Sequence, residues 1–375
     1  MVVVITGLLI GLPALHRHML RRPLPPPDRT TAAWQTRQDA LTRAQVFVER
    51  PPDIPTLDLG RNPSDPHPFT PDDPLTCRYV SETTSGTSPK FSCQLENGDV
   101  VKVKYGASPE ISAEVAATRL LAALGFGADH VTPLQRVHCT GCPASPYRMR
   151  RTFEHLFLAS VFDLLLDYSK GRTFTAVSVE RKLAGRTFEI DPYTGWSFDE
   201  LASVDAQRGG ASRAEIDALR LVAVLLGHWD NKPDNQRLVC LEGSPREPGS
   251  AEPCAQPLLV LHDVGSTFGA RSAGYQGWKA APIWTDRATC TTGMSTLPYG
   301  GATFEPVSIS EEGRQLLAGK LRQLSPRQLH DLFAGAGYDA GRDSGEPGVA
   351  AWVETLLAKG RDISDGPSCA PASPS

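Results

Sequence analysis

Short alternating runs of apolar and polar residues, "TCRYV", "KFSCQL" and "DVVKVKYG", lie close together between positions 76 and 106 and predict three strands. "ENGD" between the last two is a hairpin signal, with Asn97 and Gly98 expected to supply positive φ angles. The period then changes. "SPEISAEVAATRLLAALGFG" predicts a helix with Ser108 as N-cap, Pro109 as its first residue, acidic residues in the first turn and Gly125 as its stop. Farther on, "RRTFEHLFLASVFDLLLD" and "SRAEIDALRLVAVLLG" predict amphipathic helices, with "TAVSVERKLAG" as a strand between them. "RLVCL" and "PLLVLHDVG" predict two more strands, and "SEEGRQLLAGKLRQL", "SPRQLHDLFAGAG" and "GVAAWVETLLAKG" three closing helices. Strands crowd the first half and helices the second, which predicts an α+β fold of two lobes. The strand-rich N-lobe is expected over 75–200 and the helical C-lobe over 201–366, with a loose tail at 367–375.

Ahead of the body, "RRPLPPPDRTTAAW" and "RPPDIPTLDLGRNPSDPHPFTPDDP" carry enough proline to predict an extended tether over 23–74. The apolar stretch in "MVVVITGLLIGLPALHRHMLRR" is shorter than the roughly twenty residues that span a bilayer. Residues 1–22 therefore read as an export leader or a short membrane anchor. A net charge of −4 over 375 residues argues against a nucleic-acid partner, which needs a basic excess. Eight cysteines, at 77, 93, 139, 142, 240, 254, 290 and 369, include three close pairs. That spacing points to disulfides in an oxidising compartment, with Cys77–Cys93 and Cys240–Cys254 the expected bonds and an exported protein the consequence. A zinc site at "CTGC" needs a second ligand pair and ranks last.

Chemistry concentrates in "GHWDNKPDNQ", residues 227–236, set between the apolar runs "LRLVAVLL" and "PLLVLHDVG". His228-x-Asp230-x-Lys232-Pro233-x-Asn235 resembles the catalytic loop of the protein-kinase superfamily, and Asp263-Val264-Gly265 resembles its metal-binding turn. "VKVK" at 101–104 is similar to the superfamily's lysine strand, and "AEVAATRLLAAL" to a helix of the secretory-pathway kinases of the Golgi and related bacterial kinase-like proteins. The four pieces also occur in the superfamily's order.

The resemblance implies a two-lobed kinase-like fold and an ATP-dependent phosphotransferase, since phosphoryl transfer needs positioning and charge neutralisation more than covalent help. Asp230 would be the catalytic base and Lys232 would stabilise the transferring phosphoryl group. Asn235 and Asp263 would hold Mg or Mn through hard oxygen ligands. Lys104 would bind phosphates with Glu114 as its partner, Lys102 and Glu110 being the alternatives. Ser85 and Gly86, in "SETTSGTSPKF", stand where a glycine-rich loop would cradle phosphates. His228 would brace the loop, and Asp234 would only shape it. The chain departs from regulated kinases in having "HWD" for H-R-D, no G-x-G-x-x-G and no A-P-E. The acceptor, whether protein, lipid or small molecule, is not encoded in these motifs, nor is the choice between phosphoryl and nucleotidyl transfer. A metal-dependent hydrolase using His228, Asp230, Asp234, His262 and Asp263 is the first rival, and a non-catalytic kinase-fold binding module the second.

Overall fold

The structure is a computed structural model. It describes residues 31–49, 52–72, 74–82, 86, 88–106, 108–143, 146–147, 170–190, 193–241, 255–270, 273–294, 302–339, 347–366 and 368–370. The expected leader, and the helix expected at "RRTFEHLFLASVFDLLLD", lie outside the described residues.

Mixed helices and strands make the architecture α+β, as the order of periodicities predicts. Five strands close a barrel in the order β1 (Leu75–Val80), β2 (Lys90–Gln94), β3 (Val100–Lys104), β6 (Arg172–Arg181) and β5 (His130–Thr140). Neighbours are antiparallel except β1 and β5, which run parallel with Cys77 opposite Cys139 and seal the barrel. The β2–β3 turn forms at "ENGD", but Gly98 alone takes a positive φ, 93°. Asn97 instead accepts a bond from Asp99 N through its side chain (3.0 Å), so one glycine suffices.

Helix α2 (Pro109–Ala123) begins as its sequence predicts, with the Ser108 hydroxyl accepting from Glu110 N. It is buried nearly all round, the pattern of a helix inside the molecule rather than on its surface. Helix α3 (Arg213–Leu226) starts in a Ser212/Glu215 capping box and stops at Gly227, whose φ of 66° turns the chain directly into His228. A second sheet holds β4 (Gly127–Ala128), β11 (Leu258–Leu261), β10 (Gln236–Cys240) and β7 (Arg186–Thr187) in that order, and β8 (Glu189–Ile190) pairs antiparallel with β9 (Tyr193–Thr194) beside it in sequence. Its central pair, β10 and β11, carries the chain away from the 228–235 loop and back to Asp263. Helices α4 (Gly274–Ala280), α5 (Glu311–Leu321), α6 (Pro326–Gly335) and α7 (Val349–Ser364) follow, α6 starting at the Ser325-Pro326 cap.

The tether reading needs correction. Residues 31–49 are folded: helix α1 (Ala32–Thr42) is capped by Thr31, and Leu41, Ala44 and Val46 lie in the main core with Ile54 and Leu59. Arg37 fixes α1 through Glu200 at 2.7 Å. The prolines flank this stretch but spare residues 28–50, and that interval is free to form a helix.

The Cys77–Cys93 disulfide ties β1 to β2. Cys240 is also disulfide-bonded, while Cys254 lies outside the described residues. The tail is held by Cys290–Cys369, a bond the spacing did not single out because it spans 79 residues. Cys139 and Cys142 are buried and reduced, against the pairing their spacing suggested. No helix among the described residues is long and apolar enough to cross a membrane.

Candidate active site

Lys104 is the hub. It ends β3 with its ammonium 2.5 Å from Glu114, 3.6 Å from Asp263 and 3.9 Å from Glu180, and only 3% of the side chain is exposed. Burial works against its charge, but Asp263, Glu114 and Glu180 together hold the ammonium well above its usual pKa. Lys102 goes to Glu180 instead, at 2.6 Å. The two alternatives on each element thus separate: Lys104 pairs with Glu114, whereas Glu110, one turn earlier, takes the Ser88 hydroxyl. Burial pushes Glu114 up to about 7 despite Lys104, and its Oε2 has no hydrogen-bond partner among the described residues.

Asp263 follows β11 and faces three ammonium groups. Burial opposes its charge, yet Lys104, Lys90 and Lys102 hold its carboxyl far below the usual carboxylate range. About a third of that side chain, 35%, remains exposed. Lys90 stands directly opposite Lys104 across β2 and β3, and burial with that like charge brings it down to about 8. Gly86, at φ 85°, comes so close to Lys90 that an added Cβ would lie 3.0 Å from its ammonium nitrogen. Ser85 lies outside the described residues.

The 228–235 loop is joined to Asp263 through the backbone: His262 N and Asp263 N both donate to Asn235 O, at 2.9 and 3.2 Å. Asn235 Nδ2 donates to Asp230 O at 2.6 Å, and its side-chain oxygen makes no hydrogen bond among the described residues. The Lys232 ammonium grips the Asp230 carboxylate, at 3.1 Å to Oδ1 and 3.2 Å to Oδ2. Burial raises the Asp230 pKa against the pull of Lys232, which makes it a better proton acceptor than an exposed aspartate. His228 is fully buried, accepts from Gln236 Nε2 at 3.1 Å and is brought down by burial to about 4, so it stands neutral in the loop. Asp234 points elsewhere, accepting from Thr194 Oγ1 at 3.0 Å.

Sequence reasoning missed three supports. Asn231 is buried and spans the loop, donating to His228 O at 3.0 Å and accepting from Thr303 N at 2.6 Å. Its only sequence signal was its place between Asp230 and Lys232. Asp129 and Glu180 lie behind Lys102 and Lys104, and with His262 their ligand atoms fall within 4.8 Å of one another. Asp129 pairs with Arg237 and His262 and accepts from Leu183 N at 2.6 Å. His262 and Arg237 hold its carboxyl below the usual range against the effect of burial. With Arg237, Lys102 and Lys104 on its carboxylates, this cluster is neutralised by the chain itself. It is also the one metal-sized group of such side chains among the described residues. Among the described residues no three of His228, Asp230, Asp234, His262 and Asp263 bring ligand atoms within 4.8 Å of one another.

No family model matches the chain, and no curated protein does. Among solved structures it is similar to the crystal structure of a Helicobacter pylori proinflammatory kinase, CtkA. That match has 10% identity and a TM-score of 0.41, and it covers 77% of this chain and 92% of the other.

Proposed function

We propose that the protein is an ATP-dependent phosphotransferase of atypical, kinase-like type. The observation that carries this reading is the placement of Lys104 between Glu114 and Asp263, with Asp263 joined through its backbone to the Asp230–Asn235 loop. A lysine held by an acidic helix residue and an acidic turn residue suits the phosphates of a nucleotide.

The donor set fits Mg or Mn. Asp263 presents a partly exposed, strongly ionised carboxylate, and the Asn235 side-chain oxygen is uncommitted among the described residues; both are hard ligands. The ion would neutralise phosphate charge beside Lys104. Lys90 adds a further cation on the same side, near Gly86. Asp230 accepts the acceptor hydroxyl proton, and Lys232 meets the phosphoryl group in transfer after releasing that carboxylate. Two defined disulfides favour an oxidising, exported setting.

Incubation with γ-labelled and α-labelled ATP plus Mg²⁺ or Mn²⁺, scored for labelled product and for ADP or pyrophosphate, tests the chemistry. Release of ADP with the γ-label transferred supports the proposal. Transfer of the α-label with release of pyrophosphate assigns nucleotidyl transfer instead. A binding module gives a thermal shift with ATP and metal but no turnover. Asp263→Ala should abolish that shift, and an unchanged shift in this variant would place the metal elsewhere.

A further inference from the structure

The four cysteines of the barrel meet in its wall. Cys77 on β1 is bonded to Cys93 on β2. Cys77 is also the register partner of Cys139 on β5, across the parallel pair that closes the barrel. Cys93 Sγ and Cys139 Sγ lie 3.9 Å apart. Cys139 in turn contacts the thiol of Cys142, which the left-handed Gly141 (φ 65°) brings back beside it. All four residues are at least 96% buried. A disulfide and a dithiol thus form one continuous chain of sulfur atoms, in the order 77, 93, 139, 142.

We propose that this chain is a thiol–disulfide exchange site, in which one disulfide moves between the β1–β2 staple and the "CTGC" turn. The Cys139 thiolate attacks Cys93 Sγ; the Cys93–Cys139 bond forms, the Cys77–Cys93 bond breaks, and Cys77 leaves as thiolate. The Cys142 thiolate then attacks Cys139 Sγ, forming Cys139–Cys142 and releasing Cys93 as thiolate. Each step consumes one thiolate and produces one, and a proton passes from the attacking thiol to the departing one. The count of disulfides stays constant, so neither oxidant nor reductant is needed. Exchange frees the β1–β2 hairpin from its covalent tie, and the loop of that hairpin carries Gly86 above Lys90.

Proximity alone does not make the site fast. The Cys142 contact and burial push the Cys139 thiol far up, and Cys142 is the one titratable group acting on it among the described residues. Exchange is therefore slow near neutrality and speeds up as base generates the thiolate.

The test uses the full-length protein at pH 9 without added redox agent, sampled over time, quenched in acid, alkylated and mapped by mass spectrometry. Alkylation should start on Cys139 and Cys142 and pass to Cys77 and Cys93, with Cys93–Cys139 or Cys139–Cys142 peptides appearing in step. In Cys142→Ser the bond should stop at Cys93–Cys139 with Cys77 alkylated, and in Cys139→Ser it should stay at Cys77–Cys93. Alkylation confined to Cys139 and Cys142 throughout would overturn the proposal. So would two disulfides in the quartet as purified, one bound zinc per chain with all four cysteines reduced, or bonds from the quartet to Cys240, Cys290 or Cys369, which mark global scrambling.

Discussion

Replacing Lys104 by methionine removes one ammonium and keeps most of the side chain's length. What it leaves behind decides the cost. Glu114 is 1% exposed, and among the described residues Lys104 is the one cation in ion-pair contact with it and its Oε2 has no hydrogen-bond partner. Removing one member of a buried pair strands the other, at a cost of about 3–5 kcal/mol. Glu114→Gln is gentler, because Lys104 keeps Asp263 at 3.6 Å and Glu180 at 3.9 Å; a loss of about 1–3 kcal/mol is expected. The double variant Lys104→Met/Glu114→Gln strands no charge at this pair. It should be more stable than Lys104→Met alone by about 1–3 kcal/mol, a coupling read from guanidinium midpoints at pH 7.5. The pH dependence gives a second reading. Burial raises Glu114 in the folded protein above its ordinary 4.5 to about 7, so its contribution is complete below 4.5 and is lost as pH rises through about 7. Without Lys104 the folded value moves higher still. Lys104→Met should therefore recover toward the wild type between pH 7.5 and 5, and the double variant should not. A single variant within about 1 kcal/mol of wild type, or a double variant no more stable than it, would refute the stranded-charge reasoning.

Asp230→Asn should keep the ATP-dependent thermal shift and lose about 10²- to 10⁴-fold in turnover, whereas Asp234→Asn, bonded away to Thr194, should keep most of both; kinetics beside thermal shift separates them. Burial depresses His228 to about 4, so its contribution is present above the unfolded value of 6.5 and is lost as pH falls toward 4. His228→Asn should flatten that acid limb in a denaturation series. Cys290→Ser opens a cross-link between residues 79 apart, and the chain-entropy model predicts a loss of roughly 4 kcal/mol, measurable as a lower melting temperature against the untreated protein.

What the sequence disclosed was local chemistry. Ser108-Pro109 binds its own helix end and the "ENGD" turn closes on itself, so both were readable within a few residues. Helix α1 was hidden because the prolines on either side of it dominated the composition. Strand β5 was hidden because Pro133 sits inside it, opposite Ser178, and breaks the pattern that marks a strand. The parallel closure of β1 on β5 joins segments about sixty residues apart, beyond any periodicity. Asp129 and Glu180 stand in no motif; they matter only because folding brings Arg237, His262, Lys102 and Lys104 to them.

One oddity of the sequence is resolved by that assembly. Lys90 and Lys104 face each other directly across two antiparallel strands, and like charges so placed are destabilising on their own. Neither strand contains an acid to offset them. The offset comes from a turn more than 150 residues downstream, where Asp263 lowers the energy of both ammonium groups, from Glu180 on β6, which does the same, and from Glu114 on the intervening helix, which pairs with Lys104. The repulsion and the shared anions belong to one arrangement: the strand pair concentrates positive charge, and the three carboxylates hold it in place. An amine pair that needs a distant aspartate to be tolerated is a costly way to build a barrel, and the phosphate-binding role proposed for Lys104 would give the chain a reason to keep it. For that reason the lysine strand is understood only together with the aspartate that faces it.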